Sequence, residues 1–297
     1  MRLLRTLTVI ALGLLTLAGP ARAADPTWPK EMTFALLSTE NAAEITRRWG
    51  PILAQLESDL GVKIKPVTAT DYRGTIEALK FKKAELGHLG PKSYVAASAN
   101  NYANVEPIAQ LQLANGSLGY RSCLIVHADS DIFSPEDMAG KTFAFNDPNS
   151  TSGYLVPSAF FMMEMNVDPA KLFSKVTFSG SHEASILAVA NKKVDVASTN
   201  LPDLQQLTRE NKVPRGALRV IWVSKLIPND PIVMRKDMPA SLKSAVQESL
   251  TTMKARHPEA FKEIGAWVGG FVVADDGKYQ VVRELDDVAK KLAANKK

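Results

Sequence analysis

The stretch MTFALLSTENAAEITRRWGPILAQLESDLGVKIKPV, residues 32–67, is where the fold can be read. It opens on an apolar run over 32–37 that has the length and character of a strand. An amphipathic helix follows over 42–60 and is closed by Gly61, a residue suited to ending a helix. A second strand reads over 62–67, a second helix over 72–83 and a third strand over 85–89. Strands alternating with helices long enough to cross over imply a parallel sheet with helices on both faces.

Outward from that start, two extended segments stand out, 105–113 and 119–127, with Asn115, Gly116 and Ser117 between them. A fresh α/β unit then begins: strand 141–146, helix 152–165, strand 175–179, helix 182–191, strand 194–198 and a helix through 204–210. Another extended segment over 218–224 resembles the earlier two. A strand at 232–235 and helices over 241–256 and 279–294 complete the chain. The simplest architecture is a first lobe interrupted by a second, with two extended strands crossing between them. The first lobe is expected over residues 24–118 plus 226–297, the second over 119–225. Ligands of such folds sit at the carboxyl ends of strands and in clefts between domains.

The first 23 residues read as an export signal. Arg2 and Arg5 give a positive start, 7–17 is an apolar run too short to span a bilayer, and Ala21-Arg22-Ala23 fits a small-x-small cleavage site. No later stretch is long and apolar enough to cross a membrane. The expected product is an exported, soluble protein of the periplasm. Without Arg2, Arg5 and Arg22 the basic residues fall from 36 to 33, against 31 acidic ones. No dense basic stripe remains, so neither nucleic acid nor a membrane surface is indicated as a partner. Cys123 is the only cysteine, which excludes an intramolecular disulfide, and its apolar neighbours make it a core residue. A secreted chain of 297 residues less its leader must then be held by core size, and that length favours two lobes.

The most informative run for chemistry is Asn146-Asp147-Pro148-Asn149-Ser150-Thr151-Ser152-Gly153-Tyr154-Leu155-Val156-Pro157. It follows a strand and opens a helix. Three hydroxyl residues there offer O–H donors beside unpaired backbone N–H groups at the positive end of the helix dipole. Together these form an anion site that needs no Arg or Lys. Plain helix capping, which one Ser satisfies, is the other reading. Pro157 is awkward in either case, because a helix-interior proline loses a hydrogen bond. His182 opens another helix after a strand and can donate to an oxyanion, although a polar surface residue fits that position too. Tyr120 lies where a crossing strand is expected, with its phenol either packed or pointing into the cleft. Asp71 is a plausible N-cap for the helix that follows it.

An enzyme would need a nucleophile, a general base or metal ligands within reach of one another. The four histidines, His88, His127, His182 and His257, have no short metal-binding spacing, and no Gly-x-Ser-x-Gly elbow is present. Carboxylate ligands in clefts commonly meet a bidentate Arg. Here only Arg121 and Arg235 stand near pocket positions, both in strands where they can face outward. Hydroxyls, helix ends and one histidine suit a tetrahedral oxyanion, with sulfate and phosphate open on chemistry alone. No cofactor or metal is expected.

At this point the chain resembles the phosphate, phosphite and phosphonate-binding proteins of bacterial ABC importers, above all the aminoalkylphosphonate-binding type. The resemblance is carried in order by 37–40, 70–72, 116–122, 147–157, His182-Glu183 with 188–192, 194–197 and 227–233. It implies an α/β fold of the type II periplasmic binding protein class, two doubly wound sheets joined by two hinge strands. The implied function is capture of a phosphonate in the interlobe cleft for a membrane permease with its cytoplasmic ATPase. The alternatives on the same scaffold are phosphite, phosphate or methylphosphonate. By the resemblance, Tyr120, Ser150, Thr151 and His182 hold the phosphonate oxygens and Ser152 completes the motif. Tyr72 and Asp230 meet an aminoalkyl group, with Asp230 the counter-ion of the ammonium. The chain departs from the pattern at two places. Pro202 stands where a second carboxylate faces the amine, leaving Asp203 as a substitute. His88-Leu89-Gly90 replaces an aromatic-rich stretch, which makes His88 a candidate for the pocket wall.

Overall fold

The computed structural model describes residues 25–294. The leader over 1–23 therefore lies outside the described residues, as do Lys296 and Lys297. Strand β1 (Glu31–Leu36) feeds α1 (Ala42–Leu60). Asn41 caps that helix by accepting from the Glu44 N–H, and Gly61 ends it in the left-handed region at φ 64°, where a side chain is disfavoured. β2 (Lys63–Thr68), α2 (Tyr72–Lys80) and β3 (Leu86–His88) follow. Asp71 caps α2 through the Gly74 N–H, as its position suggested. Helix α3 (Pro91–Ser98) had no counterpart in the sequence reading. It is short and opens on Pro91, and its apolar residues form no wide stripe.

Strand β4 (Val105–Leu113) leads to β5 (Gly119–Tyr120) and β6 (Ser122–His127). The single extended segment expected over 119–127 is thus broken at Arg121. After β7 (Thr142–Phe145) the chain makes a π-helical turn (Thr151–Leu155), α4 (Val156–Ala159) and a second π-helical turn (Phe160–Glu164). Then come α5 (Pro169–Leu172), β8 (Lys175–Phe178), α6 (His182–Ala190), β9 (Val196–Asn200) and α7 (Leu201–Arg209). α7 starts earlier than expected because Asn200 caps it and Pro202 fits its first turn. β10 (Leu218–Val223), β11 (Ile227–Pro228), β12 (Pro231–Arg235), α8 (Ala240–Arg256), β13 (Val268–Val273) and α9 (Gln280–Ala294) complete the described chain. β13 also escaped the sequence reading. It contains Gly269 and Gly270, and its register slips between Val268 and Gly270, as expected where glycine interrupts a strand.

These strands form two large sheets. The first has the order β13-β4-β12-β3-β1-β2, the second β10-β6-β9-β7-β8, and β11 pairs with β5 in a two-stranded ribbon. One side of each sheet is parallel, β2-β1-β3 and β8-β7-β9. β12, β4 and β13 are antiparallel in the first sheet, as are β6 and β10 in the second. The wholly parallel sheet expected from strand–helix alternation is therefore mixed. Only β12 and β13 in the first sheet and β6 in the second run against the parallel strands; β4 and β10, each antiparallel to its neighbours, run with them.

Each sheet is covered on both faces. Against the first pack α1 and α8, with Trp49, Ile52, Leu56, Leu250 and Met253, and on the other side α2, α3 and α9, with Leu79, Tyr94 and Tyr279. Around the second sheet, Phe143, Phe145, Phe161 and Phe173 fill one face, and Ile186, Val189, Leu207 and Cys123 the other. Cys123 is fully buried, and burial pushes its thiol well above the ordinary value. The parallel strands of both sheets send their carboxyl ends to the same cleft, with β5 and β11 at its back. That arrangement brings distant loops together.

Candidate functional site

Between the lobes lies a cavity of about 70 Å³. One water needs roughly 10–15 Å³ on this kind of measure, so the space admits several waters or one small ion. It is lined after β1 by Leu37, Thr39 and Glu40, at and after β3 by His88 and Gly90, and after β9 by Pro202 and Asp203. Tyr72, Tyr120, Ser150, Thr151, His182 and Asp230 line it as well. Of the residues singled out in the sequence, Ser152 alone is not on the wall. It is buried beside the site, with its Oγ 3.4 Å from His182 Nε2.

One end of the cavity is built by the turn after β7. Ser150 caps that turn, its hydroxyl accepting from the Gly153 N–H at 3.0 Å, which leaves its own O–H to donate. The first turn is wide: the Leu155 and Val156 N–H groups reach back five residues to the carbonyls of Ser150 and Thr151. Pro157 has no N–H for the Gly153 carbonyl, and the structure shows why this is tolerated. That carbonyl accepts instead from the Asn146 N–H at 3.0 Å and Ser198 Oγ at 2.7 Å. The Ser152 carbonyl accepts from Ser122 Oγ at 2.6 Å. A Cβ at Gly153 would come within 2.3 Å of Asn146 Cβ, so glycine is required for the turn to sit this close to its strand. Thr151 Oγ1 accepts from the Lys92 N–H at 2.8 Å. Helix α3 has no cap of its own at Gly90; a hydroxyl from the other lobe does that work.

His182 is the first residue of α6, whose cap is Ser181. Its Nδ1 lies 3.1 Å from Thr199 Oγ1. Burial lowers its pKa to about 4 against the opposing pull of Asp230, so the ring is neutral at neutral pH. With Thr199 donating to Nδ1, Nε2 carries the hydrogen next to Ser152. Burial raises the phenol of Tyr120 well above its ordinary value, and so does Asp230; the hydroxyls of Ser152 and Thr151 oppose the shift. Tyr72 is also held protonated, first by burial, and its phenol oxygen accepts from Asn146 Nδ2 at 3.2 Å. This end is a set of neutral donors.

The lining also holds charged groups. Asp230 Oδ2 lies 3.0 Å from His88 Nε2, and the His88 ring packs 4.9 Å from that of Trp49. Asp203 is held by Asn200, whose Nδ2 donates to it at 2.7 Å and whose Oδ1 accepts its N–H. Burial pushes the Asp203 carboxyl up to about 6, with Asp230 adding to the shift and Asn200 opposing it. Glu40 and Arg48 form a buried ion pair at 2.9 Å on the same wall. Burial, then Asp203, raises Glu40 to about 7 despite that guanidinium.

Side chains tie the lobes together on both flanks of the cavity. On one, Lys92 Nζ donates to the Pro148 carbonyl at 2.6 Å, Ser93 Oγ to the Asn149 carbonyl at 3.0 Å, and the Tyr72 N–H to Asp147 at 3.4 Å. On the other, Arg48 reaches Glu210 at 2.7 Å, Lys212 reaches Glu40 at 3.9 Å and the Asn41 N–H donates to Glu183 at 3.1 Å. Sequence reasoning missed Glu40, Arg48, Trp49, Asn229 and Trp267 as wall residues. Arg48 and Trp49 sit on the buried face of an amphipathic helix, where periodicity indicates core. Glu40 and Asn229 had a signal, since each lies in a stretch shared with the resembling family, 37–40 and 227–233. Arg235, which the strand pattern allowed to face outward, is buried and paired with Asp237 at 2.7 Å.

Residues 34–279 match the family model described as the periplasmic substrate-binding protein of phosphonate ABC transporters. The phosphonates-binding periplasmic protein of Escherichia coli (strain K12) is 39% identical over 237 residues, spanning 78% of this chain and 68% of the relative. The phosphate-import protein PhnD of Mycolicibacterium smegmatis is 30% identical over 286 residues, spanning 88% of this chain and 86% of the relative. Among solved structures, the binding component of an ABC phosphonate transporter from Pseudomonas aeruginosa superposes with a TM-score of 0.82 at 34% identity. The overlap covers 90% of this chain and 89% of that one. The chain belongs to this family of periplasmic substrate-binding proteins, which are transport proteins and not enzymes. Its partners are accordingly a phosphonate-type ligand and the membrane components of an ABC importer.

Proposed function

We propose that this member of the phosphonate-binding family captures an aminoalkylphosphonate, with 2-aminoethylphosphonate as the reference ligand. The observation that carries the reading is the make-up of the cavity wall: neutral hydroxyl and imidazole donors share it with the carboxylates of Asp230 and Asp203. The relatives' names give phosphonates in one case and phosphate in another, so family membership alone does not choose. A buried carboxylate pair is costly without a cation beside it, and an ammonium supplies one. Phosphate or phosphite would leave both carboxylates unmatched.

On this reading Ser150, Thr151, Tyr120 and His182 donate to the phosphonate oxygens, and Ser152 keeps His182 in place. Tyr72 packs beside the tail, Asp230 and Asp203 hold the ammonium, and His88 orients Asp230. Asp203 then takes the part that Pro202 leaves vacant. The lobes, residues 24–118 with 226–297 and 119–225, close over the ligand about β5 and β11, and the closed form meets the permease. Export follows cleavage after Ala23.

The test is thermal unfolding of the mature protein with 2-aminoethylphosphonate, methylphosphonate, phosphite, phosphate and sulfate. A ligand at 100 times its Kd adds about 2.7 kcal/mol, which moves the midpoint by several degrees. The largest shift is expected with 2-aminoethylphosphonate. A larger shift with phosphite, phosphate or methylphosphonate would overturn the assignment of the tail.

A further inference from the structure

Where the far wall of the cavity meets the opposite lobe stands Arg48, buried at 4% exposure. Its Nε and one terminal nitrogen hold the Glu40 carboxylate, the same terminal nitrogen reaches Glu210 at 2.7 Å, and the other lies 3.5 Å from the Glu263 carbonyl. With its donors so engaged, Arg48 is no receptor for a ligand anion. It fixes a carboxylate in the wall. Glu40 and Arg48 belong to the first lobe and Glu210 to the second, so the pair exists in this form only when the lobes are together.

We propose that Glu40, positioned by Arg48, is a specificity-determining residue that senses the positive charge of the ligand's tail and couples it to lobe closure. This rests on the aminoalkylphosphonate reading above and adds to it a residue and a route. The far wall carries three carboxylates, Glu40, Asp203 and Asp230, against one arginine and one histidine, Arg48 and His88. Arg48 engages Glu40 from one side at 2.9 Å, while burial and the neighbouring Asp203 act against its charge. A carboxylate keeps acceptor positions free when a guanidinium approaches from one side. A cation in the cavity relieves Glu40 and Asp203 together, and it does so in the closed form, in which Lys212 reaches Glu40 and Arg48 reaches Glu210 across the cleft. A neutral tail leaves the wall short of positive charge and closure less favourable.

Calorimetric titration of 2-aminoethylphosphonate and of methylphosphonate into wild type, Glu40→Gln, Glu40→Asp and Glu210→Gln tests the proposal. Glu40→Gln is expected to weaken 2-aminoethylphosphonate about tenfold or more and to leave methylphosphonate within about twofold. Glu40→Asp keeps the charge but draws it back, and lowers the same ratio by a smaller factor. It also keeps the test open if Gln prevents folding. Glu210→Gln, outside the cavity wall, weakens both ligands by one common factor. An unchanged ratio in both Glu40 variants would overturn the proposal, as would a ratio that falls as far in Glu210→Gln. Failure of wild type to bind either phosphonate would instead break the function proposed above.

Discussion

Two groups of side chains line the cavity: Ser150, Thr151, Tyr120 and His182 carry no formal charge, whereas Glu40, Asp203 and Asp230 are accompanied by Arg48 and His88. The neutral group owes its positions to a wide helical turn, the start of α6 and strand β5, and its donors require no buried protein charge. On the proposed reading any tetrahedral oxyanion satisfies it. In the charged group burial raises Asp203 to about 6 and Glu40 to about 7, and a ligand of complementary charge would offset that cost. On the proposed reading the first group gives general affinity and the second discrimination.

The largest expected effect breaks the neutral end. Thr151→Val removes an oxyanion donor and also the acceptor of the Lys92 N–H across the cleft. Binding should weaken by roughly 2–3 kcal/mol for every phosphorus oxyanion alike, the scale of a lost hydrogen bond to a charged group, as read by calorimetry. A loss confined to one ligand would erase the division of labour. Asp230→Asn probes the other end, and about 2 kcal/mol of 2-aminoethylphosphonate affinity should go while methylphosphonate keeps its own.

Changing pH sharpens the comparison with a smaller effect. Asp203 and Glu40 have folded-state pKa values raised from 3.8 and 4.5, so the closed protein holds more protons than the unfolded chain between those values and about 6 and 7. Its stability therefore falls as pH rises through that window. An ammonium in the cavity cancels the loss. The midpoint shift given by 2-aminoethylphosphonate, relative to methylphosphonate, should grow between pH 5 and 8, and a flat ratio would count against charged far-wall carboxylates. The smallest effect belongs to Lys212→Gln. Lys212 is 28% exposed, so its removal should cost both ligands less than about 1 kcal/mol, and less still at high salt.

Much of this was legible in the residues. The strand and helix of 32–60, closed by Gly61, stand where apolar pattern and stop signal put them, because those signals are local. The Ser-Thr-Ser run was readable as a helix start for the same reason. The π-helical widening was not, since it depends on Ser198 and Asn146, remote or beyond the helix, accepting the duties that Pro157 abandons. Helix α3 was invisible because its capping hydroxyl, Thr151, comes from the other lobe.

By itself, then, the sequence determined an α/β fold and a family resemblance that residues 34–279 bear out, and it pointed to Ser150, Thr151 and His182, which the fold brings to one cavity. Periodicity and capping act within a few residues, and order along the chain preserves them. Tertiary structure alone decided that Arg48 and Trp49, on the buried face of α1, also line the cavity, and that Arg48 meets Glu210 across the cleft. Those facts depend on the distance and dielectric between groups up to 190 positions apart in the chain, and only the packed lobes set either one.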